Sequence, residues 1–266
     1  MKIIRYKLND DSLTKLGCVV ENKVYNLVGD PLVNAEQGKY VASIRSVKLM
    51  APCTPGKIIA MAMNYSSIGS NSTKSTEPLV FIKPSTCICG PGTTIVNPFP
   101  DSPMWGEPEL AVVIRHVLRN ATQLQVEEGI LGFTIGNDMT VENVDSRDHH
   151  LSRSKCPDNF CPLGPWIDTD FDPSDCVIEG EQNSEIVRSG RSSEQLWQWP
   201  RILLWLSKWI TLEPWDVILT GNPPDMEGEM STNSPGMRYL QDGDIFSVRI
   251  KGLGELTNPI SIKHTN

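Results

Sequence analysis

The strongest constraint on the fold is a series of short apolar runs, each stopped by glycine, proline or a polar turn. Lys57-Ile58-Ile59-Ala60-Met61-Ala62-Met63, Leu79-Val80-Phe81-Ile82-Lys83, Leu110-Ala111-Val112-Val113-Ile114, Gly129 to Gly136 and Val217-Ile218-Leu219 are nearly continuous in apolar character. Their length and β-branched content suit buried strands rather than helices. Asp244 to Ile250 alternates as a half-buried strand does. Helical patterns are few: Gln123 to Glu128, and Pro200 to Trp209, where a proline is tolerated in the first turn. Trp205 and Trp209 are i,i+4 neighbours there and suit core or subunit packing. Strands without a β-α-β rhythm predict an α+β fold with a mixed β-sheet rather than a doubly wound one.

The punctuation predicts two domains. Residues 1–52 read as a small β-rich N-terminal domain, ending in a polar, helix-compatible connection to Met50. The Pro-containing link Ala51 to Gly56 then leads into a main domain over 53–266. Over 266 residues the chain is 39% hydrophobic and 21% charged, an ordinary globular composition. Its net charge of −8 opposes nucleic acid or an anionic membrane as main partner and leaves a small-molecule substrate as the default. The N-terminus lacks the apolar core of a signal peptide and no run reaches membrane-spanning length, so a soluble cytoplasmic protein is expected. Seven cysteines, an odd number without C-x-x-C spacing, predict reduced thiols rather than disulfides or structural zinc.

The chemistry-bearing stretch is Trp105-Gly106-Glu107-Pro108-Glu109. Residues two apart on a strand point to one face, so the carboxylates of Glu107 and Glu109 converge. Like charges that close repel unless a cation intervenes, and a hard divalent ion with oxygen ligands meets that need. A solvated acidic strand end is the other reading. Asn137-Asp138 delivers a third carboxylate at the end of the Gly129 strand.

The blocks Asn64-Tyr65, Phe81-Ile82-Lys83-Pro84, Glu107 to Ile114, Asn137-Asp138-Met139-Thr140, Phe160 to Trp166 and Thr211 to Gly221 occur in an order that resembles the fumarylacetoacetate hydrolase superfamily. The similarity runs from about Lys57 to Ile260. It implies a mixed β-sheet roll, a homodimer, and Mg²⁺, Mn²⁺ or Ca²⁺ held by Glu107, Glu109 and Asp138. It also implies an active-site lysine at Lys155, holding a substrate carboxylate or a developing oxyanion. Tyr65, Ile68, Lys83, Glu142, Thr220 and Asn222 fall at positions expected to line the substrate.

Departures from the family pattern bear on the reaction. Hydrolytic members carry a His-Glu pair on a lid that activates water, and Ile68 and Asn71 stand at those positions here. The family's arginine after the metal-binding Asp is replaced by Glu142, so a cationic substrate anchor is lost and a small diacid becomes a poorer fit. His149 and His150 are the replacement bases on offer, with Asp145 or Asp148 to orient them. His116 is expected far from the metal. The resemblance implies a divalent-metal-dependent enzyme acting on an enolisable 1,3-dicarbonyl or β-keto acid, by C–C hydrolysis or decarboxylation, and an apolar Ile68 on the lid suits a larger, less polar substrate, as in a specialised biosynthetic pathway. The alternatives are a tautomerase, isomerase or cyclase, or an inactive binding or scaffold relative.

Overall fold

The computed structural model describes residues 1–8, 12–66, 77–142, 144–148, 151–225 and 239–262. The first strands are β1 (Lys2–Leu8), β2 (Lys15–Val20), β3 (Lys23–Val28), β4 (Glu36–Ser43), β5 (Val47–Met50), β6 (Ile58–Ala62) and β7 (Leu79–Lys83). β8 (Ile88–Cys89), β9 (Ile95–Asn97), β10 (Met104–Trp105), β11 (Pro108–Ile114), β12 (Ile130–Asn137) and β13 (Thr140–Val141) follow. The chain then forms β14 (Cys161–Asp168), β15 (Val177–Gln182), β16 (Glu185–Arg191), β17 (Val217–Leu219), β18 (Ile245–Ile250) and β19 (Gly254–Ile262). The α-helices are α1 (Gln123–Glu128), α2 (Ser152–Lys155) and α3 (Trp199–Leu206). None is long and apolar enough to cross a membrane.

The largest sheet runs β4-β3-β2-β1-β14-β12-β11-β17-β6-β7, with β5 added to β1 and β8 to β14. Pairing is mixed: β11 is antiparallel to both neighbours, whereas β17 and β6 are parallel. Beyond β7, the Ser85–Cys87 turn carries the chain into β8, which pairs in parallel with β14 through Cys161↔Ile88. The strands from β14 to β7 thereby curl into a roll, closed where β8 returns to β14. A second sheet, β16-β15-β18-β19-β9, packs on the outside.

β11 is buried along its whole length because each face has a core to fill. Ala111 and Val113 point into the roll with Ile58, Ala60, Leu163, Val217 and Leu219. Leu110, Val112 and Ile114 point outward to Phe133, Ile178, Val248, Ile250 and the α3 residues Ile202 and Leu206. Burial on both faces is why the run reads as continuous rather than alternating. α1 sits where the sequence placed it, started by a Thr122 capping box. The Trp205 and Trp209 rings meet edge to face at 5.2 Å.

The N-terminal strands join the main sheet through Lys2↔Asp168 and enclose a small core of Ile4, Tyr6, Val19 and Val24. The helix-compatible connection before Met50 is not helical. It forms β4, a single 3-10 turn over Ile44–Ser46, and β5, which pairs with β1 through Arg5↔Met50. Cross-strand pairing outweighs a weak local preference at this position. All seven cysteines are free thiols.

Candidate active site

The acidic cluster follows from strand register. β11 and β12 are antiparallel, with Pro108 opposite Asn137, so Glu107 falls opposite Asp138, one residue beyond each strand. The Asp138 amide donates to Glu107 O at 2.9 Å, and the Glu107 amide to Asn137 Oδ1 at 2.9 Å. On the other side β17 pairs with β11 through Ala111↔Leu219, which brings Gly221 alongside Glu109. Gly221 has φ +94°, a conformation easiest for glycine, and there its amide donates to Glu109 Oε2. One oxygen from each of Glu107, Glu109 and Asp138 lies within 4.8 Å of the other two, and all three residues are buried.

Two lysines are buried with them. Lys155, on α2, donates to Glu107 Oε2 at 2.8 Å and Asp138 Oδ2 at 2.7 Å, with its ammonium 5.2 Å from the centre of the Phe81 ring. Lys83, the last residue of β7, ion-pairs with Asp138 Oδ1. Glu107 Oε1 accepts from Trp105 Nε1 at 2.8 Å and Thr140 Oγ1 at 3.0 Å. Glu109 is treated differently. It is fully buried, and its Oε1 has no hydrogen-bond partner among the described residues.

The electrostatics divide the two glutamates. Burial opposes ionisation of Glu107, yet the charges of Lys155 and Arg188 and the Lys155 and Trp105 hydrogen bonds overcome it and hold the carboxyl at about 2. Burial pushes Glu109 well above the usual carboxylate range, and the charges of Asp138 and Glu107 add to it. Burial also disfavours the Lys155 charge, but Asp138 and Glu107 raise its pKa above that of an ordinary lysine and keep it protonated. An orphaned, buried carboxylate oxygen facing two more carboxylates suits a hard cation with oxygen ligands. The donor set therefore fits the divalent ion expected from the sequence.

Residues 57–261 match the family described as fumarylacetoacetate (FAA) hydrolase C-terminal. This chain belongs to the fumarylacetoacetate hydrolase family. The mitochondrial oxaloacetate tautomerase fahd2 of Xenopus laevis is 30% identical over 85% of this chain and 72% of that protein. A 2,4-didehydro-3-deoxy-L-rhamnonate hydrolase of a Sphingomonas species is 30% identical over 87% of this chain and 79% of its own. A crystal structure described as 5-carboxymethyl-2-hydroxymuconate delta-isomerase from Mycobacterium smegmatis superposes with a TM-score of 0.86 at 33% identity, covering 99% of this chain and 100% of that one. These fumarylacetoacetate hydrolase relatives are enzymes acting on small molecules, and the mixed-sheet fold is the family's.

Thr220 and Tyr65 lie beside Glu109. Thr220 Oγ1 donates to Leu110 O at 2.9 Å and accepts from Gln195 Nε2 at 2.8 Å, while Gln195 also reaches the Tyr65 hydroxyl at 3.4 Å. Burial raises Tyr65 far above the usual phenol range, against the Gln195 hydrogen bond and with help from the Glu109 charge, so it stays a neutral hydroxyl. Asn222 is half-buried one residue beyond Gly221. Glu142 accepts from the Tyr239 hydroxyl at 2.9 Å. Ile68, Asn71, His149 and His150 lie outside the described residues. Asp145 and Asp148, read as orienters of those histidines, both ion-pair with Arg153. His116 is exposed beyond Ile114, at the opposite end of β11 from the carboxylates.

Sequence reading missed several supporting groups. Trp105, Asn137 and Thr140 sat inside the quoted motifs without an assigned role, although a donor flanking an acidic ligand is a detectable signal. Gln195 and Arg188 gave none, because neither belongs to a motif and each reaches the site only through folding.

Proposed function

We propose that this chain is a divalent-metal-dependent enzyme that stabilises the enolate of a 2-oxo or 1,3-dicarbonyl acid, with tautomerisation as the net reaction. The observation that carries the reading is the convergence of three buried carboxylates, one with an orphaned oxygen, against two buried lysines. Glu107, Glu109 and Asp138 would hold Mg²⁺, or Mn²⁺ or Ca²⁺ in its place. Such an ion supplies Lewis-acid stabilisation of negative charge developing on a substrate oxygen.

The chain's own residues do the rest. Lys155 is buried and kept protonated, so it offers ammonium N–H donors to an oxyanion in a site that excludes water. Lys83 fixes Asp138, and Trp105 and Thr140 fix Glu107, so the carboxylates are held before substrate arrives. Tyr65 keeps its proton and can donate it to a substrate oxygen. We assign the proton taken from carbon to His149 or His150, which the sequence places between Asp138 and Lys155.

The test is the decay of enol oxaloacetate in the ultraviolet. With Mg²⁺ or Mn²⁺ the protein is expected to accelerate it well above the buffer rate, with loss of activity on chelation and in Glu109→Gln. No acceleration by the metal-loaded protein would count against the reading. C–C hydrolysis is the second reading, favoured by the similarity to the Sphingomonas hydrolase. Incubating acylpyruvates in ¹⁸O-labelled water separates the two, because only hydrolysis places label in a carboxylate product above the exchange background. Decarboxylation would show as carbon dioxide released from oxaloacetate. We take the working unit to be a homodimer, since edge strand β7 leaves Leu79 and Ile82 56% and 52% exposed. A monomer by light scattering would reject that.

A further inference from the structure

Of the seven thiols, six are buried and Cys156 alone is partly exposed. It caps the C-terminal end of α2, next to Lys155, and lines an open cavity of about 490 Å³ whose described walls include Val96, Phe99, Ser152, Arg153 and Asn159. A molecule as small as a peroxide can enter such a cavity and meet the sulfur.

Cys156 has a second thiol beside it. Its side chain packs against the core inside the roll, to which fully buried Cys87 belongs, and shares a hydrogen bond with the Cys87 thiol. The backbone holds this approach from both sides. Cys87 ends the turn over Ser85–Cys87, its amide donating to Pro84 O at 3.0 Å. The Cys156 amide donates to Ser152 O at 2.7 Å, and the Asn159 amide reaches across to Thr86 O at 3.2 Å. Just beyond, Cys161 stands opposite Ile88 in the parallel β8–β14 pair. Thiols near enough to share a hydrogen bond need only a small movement to reach bonding distance.

The pair is asymmetric, as an attacking and a resolving cysteine must be. The hydrogen bond with Cys87 lowers Cys156 to about 7, against the cost of its burial and with help from the Lys83 charge, so much of it is thiolate at neutral pH. The same hydrogen bond, with burial, holds Cys87 far above the ordinary thiol range, so it keeps its proton. Burial raises Cys53, Cys89 and Cys161 and leaves them inert as nucleophiles. We propose that Cys156 is a modification site for hydrogen peroxide, with Cys87 as its resolving partner. The Cys156 thiolate attacks one peroxide oxygen: the S–O bond forms as the O–O bond breaks, and the departing hydroxide takes a proton from solvent. The Cys87 sulfur then attacks the sulfenic sulfur, and its S–H proton leaves with the displaced hydroxide as water. Two thiols are thereby oxidised to one disulfide and one peroxide is reduced to two waters. Lys83 lies four residues before Cys87 and Lys155 directly precedes Cys156, so the bond would tie together the two segments that deliver the lysines of the acidic cluster. Nothing in this chemistry requires the enolate reading.

The test treats the reduced full chain, with Mg²⁺ present because that ion does not itself oxidise thiols, with a modest excess of hydrogen peroxide at neutral pH. The remaining thiols are then alkylated and the peptides read by mass spectrometry without reduction. Two of the seven thiols should be lost, with Cys87 and Cys156 recovered as one cross-linked peptide pair that dithiothreitol releases. Cys156→Ser should lose no thiol under the same treatment. Cys87→Ser should stop at a sulfenic acid on Cys156, trapped by dimedone, and Cys87→Ala carries that arm if the serine variant does not fold. Seven intact thiols in the wild type overturn the assignment. So does a bond to any other cysteine or between two chains, or a Cys156 driven to the sulfinic acid without a disulfide.

Discussion

The two ends of β11 each bury a carboxylate completely, and they solve the problem in opposite ways. At the Ile114 end, Asp216 accepts from the Lys57 amide at 3.1 Å and the Glu213 amide at 2.7 Å, and ion-pairs with Lys57 Nζ at 2.5 Å. Both of its oxygens are used, and its backbone is tied to Ile114. At the Pro108 end, Glu109 has one oxygen on the Gly221 amide and the other without a partner among the described residues. A satisfied buried carboxylate is structure, whereas an orphaned one beside two like charges is a ligand in waiting. Burial alone does not distinguish the two roles. Partner accounting does.

The most direct way to break that comparison is to remove each charge in turn. Glu109→Gln is expected to weaken Mg²⁺ or Mn²⁺ binding by at least about a hundredfold while the metal-free protein melts no lower than wild type, because burial and its two acidic neighbours already oppose a charge at this position. Calorimetric titration and a thermal melt read both halves, and a lower melting temperature with intact metal binding would invert the assignment. Asp216→Asn should do the reverse. It leaves Lys57 only its exposed partner Glu213, and is expected to cost about 2 kcal/mol of stability, read by denaturant unfolding, with unchanged metal affinity in the folded protein.

Proton linkage sharpens the contrast within the cluster. The folded pKa of Glu107 is depressed to about 2, so its contribution is present above the ordinary glutamate range and lost as pH falls toward 2. Glu109 is raised, so the metal-free protein is favoured below the ordinary range and loses that contribution as pH climbs through the raised value. A bound cation requires Glu109 ionised. The stabilisation produced by adding Mg²⁺ should therefore grow from pH 5 to pH 8, and a shift in melting temperature independent of pH would contradict this account. The smallest effect belongs to the support groups. Trp105→Phe removes one donor from Glu107 Oε1 and should weaken metal affinity by about tenfold with little loss of stability. An unchanged affinity would reduce Trp105 to packing.

Much of the site was legible because it is local. Glu107 and Glu109 share a face through strand periodicity alone, and the buried runs on either side announced a sheet with both faces covered. The helix over Gln123–Glu128 was readable from its own span. What failed to show was non-local. The stretch before Met50 carries no strong local preference, and its strands exist because β1 offers an edge to β5. The pairing of Arg153 with both Asp145 and Asp148 likewise depends on how the loop folds and not on a motif.

The sequence by itself determined that this chain makes a mixed sheet and that three carboxylates stand at strand ends, since both depend on residue type and spacing along the chain. Only the tertiary structure decided which carboxylate keeps an unused oxygen, that Lys83 and Lys155 share Asp138, and that Arg188 brings a buried charge from a different sheet. Hydrogen-bond satisfaction and electrostatic balance are properties of neighbours in space, and antiparallel register joins Glu107 to Asp138 across a separation that no local pattern spans.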